Sequence, residues 1–458
     1  MKPITLAVLM HCVCASLVSA DLSRVDVPLT IRDVAGVSRT AEPCSTGVPL
    51  PAGLLQRCEG IAVFDAGGKA VPAQFRALER WREFGDDTAS PGEPGSAGGS
   101  IKWLGVTFLA DVPAGGEAVY RLKAGENPSP PVPVRVGSAG AAVTMGGMKF
   151  QKDFSGPFQL VMIDAAGRQI TAAGLPITWE VVESGPVRAT VRAESPMIEG
   201  RFGVLAWLHA YAGLKRYDLT LVVKNTHREP RGPLCFRDLS VVVAPPGLGK
   251  AARWSIGGEP TATFSGSLGE GESVRLYQDS DGTDRWEKLG ARRDYNAAYV
   301  IPWSKIKQLG KPAFRGYRVT SSGKQIGEGN YALGWSALSD GTQSALLAVR
   351  HFRENYPSAV EVRPGRLIAR LWPDQWEAHG GIHWLDDLQR KRHDLSLRLA
   401  DGAVSPAAGN AAALGFNRPL IAHCGLAWYR RSGVFGRLLD AKPAKEIKVG
   451  VYPGPFAS

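Results

Sequence analysis

Hydrophobic and polar residues alternate with period two along much of the chain, and helical periodicity is scarce. The clearest run is 185–227, GPVRATVRAESPMIEGRFGVLAWLHAYAGLKRYDLTLVVKNTH. Val187, Ala189, Val191 and Ala193 share one face of a strand, with Arg188, Thr190 and Arg192 on the other. Tyr217, Leu219, Leu221 and Val223 likewise oppose Arg216, Asp218, Thr220 and Lys224. Between them, 202–211 reads as a third strand.

The four residues Ala212-Gly213-Leu214-Lys215 suit a hairpin loop. That loop fixes a register. Tyr211 lies opposite Arg216, and then Ala210 meets Tyr217, His209 meets Asp218, Leu208 meets Leu219, Trp207 meets Thr220 and Ala206 meets Leu221. Directly opposed side chains in a ladder have Cβ atoms roughly 4.5–5.5 Å apart. One face of the meander is therefore apolar. The other gathers an imidazole, a carboxylate, a phenol, a guanidinium and an indole. Two readings fit that face: a solvated surface with a cross-strand ion pair, or a site.

The same alternation organises the rest. Residues 21–125 predict a first β domain, with strands in VDVPLTIRD, GIAVFDAGG, AVPAQFRAL, SIKWLGVTFLADV and EAVYRLKAG. Residues 83–99, EFGDDTASPGEPGSAGG, read as an insertion without strand character. ENPSPPVPV at 126–134 is a Pro-rich linker. Residues 135–435 predict a larger β-sandwich, followed by a tail at 436–458. The fold class expected is all-β. With 54 Gly and 32 Pro in 458 residues, many turns and many short strands are implied.

The N-terminus adds a destination. Lys2, the apolar run 6–17 and Val18-Ser19-Ala20 make a signal peptide spanning 1–20, so the expected location is secreted or periplasmic. No segment offers the roughly 20 apolar residues of a membrane span. Four cysteines follow the signal: Cys44, Cys58, Cys235 and Cys424. Cys44 and Cys58 bracket a Pro/Gly-rich loop and are the better candidates for a disulfide. A net charge of +11 favours acidic partners. An acidic polysaccharide or a phosphate-bearing surface fits better than nucleic acid, because no nucleic-acid-binding motif appears.

GVPLPAGLL (47–55), VPAQFRALERW (71–81) and SIKWLGVTFLADVPAGGEAVYRL (100–122) resemble the N-terminal domain of the exo-rhamnogalacturonan lyase-like family. The resemblance implies that 21–125 is a small RIFT-type β-barrel. The meander, GYRVTSSGKQIGEGNYALGWSALSDG (316–341), LLAVRHFRENYPSAVEV (346–362), LIARLWPD (367–374), RKRHDLSLRL (390–399) and LIAHCGLAWYRRSGVFG (420–436) are similar to that family's mutarotase-like sandwich. A helical toroid follows in the family. Here the sequence reaches only Ser458, so the expectation is a naturally short, a split or a truncated form, a partner chain supplying the toroid if it is split.

The implied chemistry is β-elimination at a uronate, which needs a base, a cation for the carboxylate and an acid for the leaving oxygen. His209 is the candidate base, tuned by Asp218. Tyr211 is the candidate acid, Arg216 or Arg188 the clamp, and Trp207 a stacking platform. His393, matching a family His, and His351 are further substrate contacts. WPDQWEAHGGIHWLDD (372–387) holds Asp374, His379, His383, Asp386 and Asp387. Its glycines argue against a helical zinc pair, leaving calcium open; no cofactor is called for. Trp372, Trp376 and Trp384 form either a sugar-stacking patch or a buried cluster. A different class competes with the lyase: a non-catalytic carbohydrate-binding or scaffold protein using the same face.

Overall fold

A computed structural model describes residues 22–81, 99–171, 177–198, 202–225, 233–284, 286, 312–374, 381–386 and 388–436. The signal peptide, most of the 83–99 insertion and nearly all of the tail lie outside them.

The main body is a sandwich of two nine-stranded sheets, counted among the described residues. One sheet runs in the order Thr178–Ser184, Arg188–Ile198, Phe202–Tyr211, Arg216–Asn225, Arg390–Asp401, Gln343–Val349, Trp335–Ser339, Arg253–Gly257, Thr263–Ser267. The meander is thus one wing of this sheet. The second sheet centres on Leu234–Val243, Arg366–Trp372, Ser358–Arg363 and Val274–Gln278. Every neighbouring pair named here is antiparallel.

Alternation explains the packing. Val191, Leu208, Leu219, Leu347 and Leu395 from the first sheet meet Leu160, Val241, Leu276, Val360 and Ala369 from the second in one core. Burial of each Val or Leu side chain among them contributes about 1.5–3 kcal/mol. The residues between them point away from that core, so the polar face of the meander is the outer face of its sheet.

Part of that outer face is covered. The helix Pro406–Asn417 starts with Ser405, whose hydroxyl accepts from the Ala408 amide at 3.2 Å. It lays Ala412, Ala413 and Phe416 against Trp335, Ala337, Leu346 and Ala348. Gly409 permits the approach, since a Cβ there would stand 2.5 Å from the Trp335 ring.

The first unit covers another part. It is a pair of facing sheets, not the closed barrel that the resemblance implied. Asp26–Arg32, Glu117–Ala124 and Ile61–Phe64 belong to one sheet; Arg39–Pro49, Ile101–Val112 and Ala73–Arg80 form the other. Leu29, Val63 and Leu122 pack on Val48, Leu104 and Phe108. The chain also returns here. Ala422–Cys424 pairs with Asp26–Arg32, and Trp428 donates to the Pro49 carbonyl at 2.7 Å. Residues 420–432, which sequence places with the sandwich, therefore complete the first unit.

Cys44 and Cys58 are not joined to each other, so the expected bridge is not formed. Cys44 is an inward residue of its strand, and burial pushes its thiol up to about 12.

Candidate functional site

The predicted register is the observed one. His209 faces Asp218, Ala210 faces Tyr217, Trp207 faces Thr220 and Leu208 faces Leu219. Gly213 turns the loop with φ of 68°. On the other side of the strand, Arg188, Thr190 and Arg192 face Tyr211, His209 and Trp207. The polar face then continues through Arg398, Ser396 and Asp394, which lie beside Arg216, Asp218 and Thr220.

This face divides into a closed end and an open end. The closed end lies under the first unit and the helix. Arg216 is 8% exposed. Its Nε donates to both Asp218 oxygens, at 3.0 and 3.1 Å, and its Nη1 donates to Glu42 at 2.9 Å. The Tyr211 hydroxyl donates to Asp218 at 3.2 Å. Arg39 lies 3.7 Å from Glu42 and also holds Asp33 at 2.8 Å. Its guanidinium donates to the carbonyls of Gly415 and Arg418 at the end of the helix. Burial opposes the Asp218 charge, but Arg216 outweighs it and holds the carboxyl below its ordinary value. Burial and the Asp218 charge push the Tyr211 phenol far up. Tyr211, Arg216 and Asp218 thus spend their bonding capacity inside the protein, joining two units. They do not present an acid or a clamp to solvent.

The open end keeps His209, and its partner is not Asp218. His209 Nδ1 lies 2.9 Å from Thr190 Oγ1, and Thr190 donates to Glu183 at 3.3 Å. An ionised carboxylate only accepts. The Thr190 hydrogen therefore goes to Glu183, and Thr190 oxygen accepts from Nδ1–H. The network assigns the tautomer, leaving Nε2 as an acceptor with no partner among the described residues. Glu183 suits the role: burial opposes its charge, yet Arg188 grips it at 2.7 and 2.9 Å and holds its carboxyl below the usual value. Burial, then the Arg188 charge, push the imidazole down to about 4. His209 is neutral at neutral pH.

The relay makes a prediction. With 15N-labelled histidine, His209 should show a pyridine-type Nε2 and a protonated Nδ1. Thr190→Val strands the Nδ1 proton without an acceptor and should move the population to the other tautomer. An unchanged pattern would mean that Thr190 does not set it.

Around His209 the open face carries Trp207, half-buried, and two arginines. Arg192 pairs with Glu194 and with Glu180, the latter at 3.3 Å. Arg392 holds Asp394 at 2.9 Å and is 60% exposed. Asp394 also accepts from Thr220 at 2.6 Å and lies 3.3 Å from Arg350. Next to Arg350, His351 is exposed in a turn with φ of 53°, its amide donating to Asn417.

The remaining candidates lie elsewhere. His393 is an inward residue of Arg390–Asp401, 4% exposed, with its ring 4.7 Å from that of Trp372. Burial pushes it down to about 3. It is a core residue, and Asp394 beside it is the outward one. Strand parity, Leu395 and Leu397 inward, marks that difference. Arg188 ties Glu183 to Ser45 of the first unit at 3.0 Å. His383 is buried, donating to the Pro373 carbonyl at 2.7 Å and stacked on Phe236. His379, Trp376 and Asp387 lie outside the described residues. Among the described residues no three metal-type ligands converge, at the 372–387 loop or elsewhere. None of their helices is long and apolar enough to cross a membrane.

Fold and face define an all-β protein with a sandwich whose outer polar face is half roofed. No protein-family model matches the chain, and no curated protein matches it by sequence. Among solved structures it is similar to an alpha-mannosidase from Enterococcus faecalis V583, at 13% identity and TM-score 0.47, over 87% of this chain and 46% of that one. It is also similar to a putative aldose 1-epimerase from Klebsiella pneumoniae subsp. pneumoniae MGH 78578, at 12% identity and TM-score 0.31, over 57% and 65%. A putative aldose 1-epimerase from Escherichia coli K12 gives 10% identity and TM-score 0.27, over 58% and 99%. The chain spans about half the length of the mannosidase, and the overlap is loose in every case.

Proposed function

We propose that the protein engages an acidic polysaccharide on the open end of this face, and that His209 is the base of a β-elimination at a uronate. The observation that carries the reading is His209 itself: a neutral imidazole, its Nδ1 proton held by Thr190, its Nε2 lone pair unspent. The step balances simply. Nε2 takes the proton from C5, next to the uronate carboxylate. The electron pair forms the C4–C5 double bond, and the C4–O4 bond breaks with its pair on oxygen. Arg192 and Arg392 are cations on the open face that could meet the carboxylate. With Tyr211 committed to Asp218, the leaving oxygen takes its proton from water. Rhamnogalacturonan is the substrate that the sequence resemblance suggests, and export through a signal peptide would bring the protein to it.

One observation favours a second reading, a non-catalytic acidic-sugar binder. A base held near 4 is well placed to accept a hydrogen bond and poorly matched to proton abstraction at neutral pH. The experiment is incubation with rhamnogalacturonan and polygalacturonate, followed by the absorbance of an unsaturated uronate. Turnover that His209→Gln abolishes, and that falls away only as pH drops toward 4, supports the lyase. Retention on immobilised pectin without turnover supports the binder. Neither turnover nor retention would overturn both.

A further inference from the structure

A second polar concavity lies where the first unit meets the edge of the meander, a groove of about 290 Å³. That is close to the roughly 300 Å³ at the lower end of ligand sites. Its floor is unusual. Gly47 pairs with Gly105, and Gly105 pairs with Arg76 on the next strand. One rung of the floor, Gly47 against Gly105, therefore lacks side chains. Gly47 does not have a left-handed backbone, and among the described residues a Cβ there would meet only the Trp103 ring, at 3.4 Å. Neither conformation nor crowding demands this glycine. Its effect is to keep the floor open.

The walls supply polar groups. Ser45 and Thr107 face each other with hydroxyls 3.0 Å apart. Among the described residues lining the groove, Arg76 is the cation with capacity to spare. Its Nη1 stands 3.7 Å from Glu183, beyond hydrogen-bond reach, and its side chain is 50% exposed. Glu183 is already filled by Arg188 and Thr190. Arg188 and Arg216, the clamps suggested by sequence, are both spent. Arg76 is not.

We infer that this groove is a subsite for a carboxylate-bearing sugar, a hexuronate, with its carboxylate on Arg76 and its ring hydroxyls toward Ser45 and Thr107. A guanidinium presents paired donors that match a carboxylate. Glu183 links the subsite to His209, since the same carboxylate faces Arg76 and anchors the relay. The inference rests on the acidic-polysaccharide reading for its ligand, and not on the elimination reaction.

The test is calorimetric titration of the full protein with trigalacturonate and with its methyl ester. Wild type should prefer the acid. Arg76→Gln should weaken the acid by roughly ten- to hundredfold and leave the ester unchanged, as expected for a lost hydrogen bond to a charged group. Gly47→Leu, which fills the floor, should weaken both. Loss in Arg76→Gln but not in Arg392→Gln upholds the groove and overturns the open-face reading. Loss in Arg392→Gln alone does the reverse. No binding by wild type overturns both.

Discussion

An Arg216→Met variant is expected to lose about 3–5 kcal/mol of stability, the range for breaking a buried ion pair from one side. Methionine keeps most of the volume, so lost packing is the lesser effect. The larger one is electrostatic. Arg216 bonds Asp218 at 3.0 Å and Glu42 at 2.9 Å, and Asp218 and Glu42 come from different units. Without the guanidinium, two carboxylates share a covered interface. Arg39 stands 3.7 Å from Glu42 and Arg398 stands 4.0 Å from it, so compensation is partial. Arg398 is itself short of partners, since its buried Nε and Nη2 make no hydrogen bond among the described residues. Urea unfolding measures the loss. Adding Glu42→Gln to Arg216→Met should recover part of it, because one uncompensated charge is removed. A drop below about 1 kcal/mol would mean that the pair behaves as a solvated surface bridge.

This interface shows where sequence reading works and where it stops. The hairpin loop at Gly213 and the period-two pattern were enough to pair His209 with Asp218 and to assign both faces of the meander. Local spacing carries that information. It does not carry what lies above a face. Glu42 reaches Arg216 across 174 residues, and the helix end and Phe416 reach it from the other side of the chain. Nothing near Tyr211 or Arg216 marks them as roofed, so residue type and a shared face made them look like an acid and a clamp. His393 is a different case. The parity of its own strand turns it inward, and a resemblance to a family histidine pointed the other way. Thr190 and Glu183 were legible in part: Thr190 was assigned to the polar face, but the relay needs the strand Thr178–Ser184 beside it. The groove at Arg76 was invisible because Glu183 and Arg188, which complete its lining, belong to the other unit.

The second large effect concerns acid. Glu361 is fully buried on the face of the second sheet turned from the core, between Arg275 at 2.7 Å and Arg370 at 2.8 Å. Arg363 bonds its other oxygen, and Arg370 also holds Asp238 at 2.6 Å. Burial alone would raise the Glu361 carboxyl. The charges of Arg370 and Arg275 outweigh it and bring the value down from 4.5 to about 2. A carboxyl depressed on folding contributes stability that is present above its unfolded value and lost as pH falls through its folded one. The window therefore runs from 4.5 down to about 2. At about 1.4 kcal/mol per pKa unit, the contribution lost across it is on the order of 3 kcal/mol. Glu361→Gln keeps the shape and removes the charge, leaving Arg275 and Arg370 short of a counter-ion at every pH. The variant should be weaker than wild type by a similar amount near neutrality, and the gap should close as acid protonates the wild-type residue. Urea titrations at about pH 7 and about pH 3 measure it, the difference between the two proteins cancelling the general acid sensitivity of a chain with net charge +11. A gap that stays constant with pH would show that Glu361 does not titrate on unfolding, and Arg370 and Arg275 would then be held by Asp238, Asp374 and solvent instead.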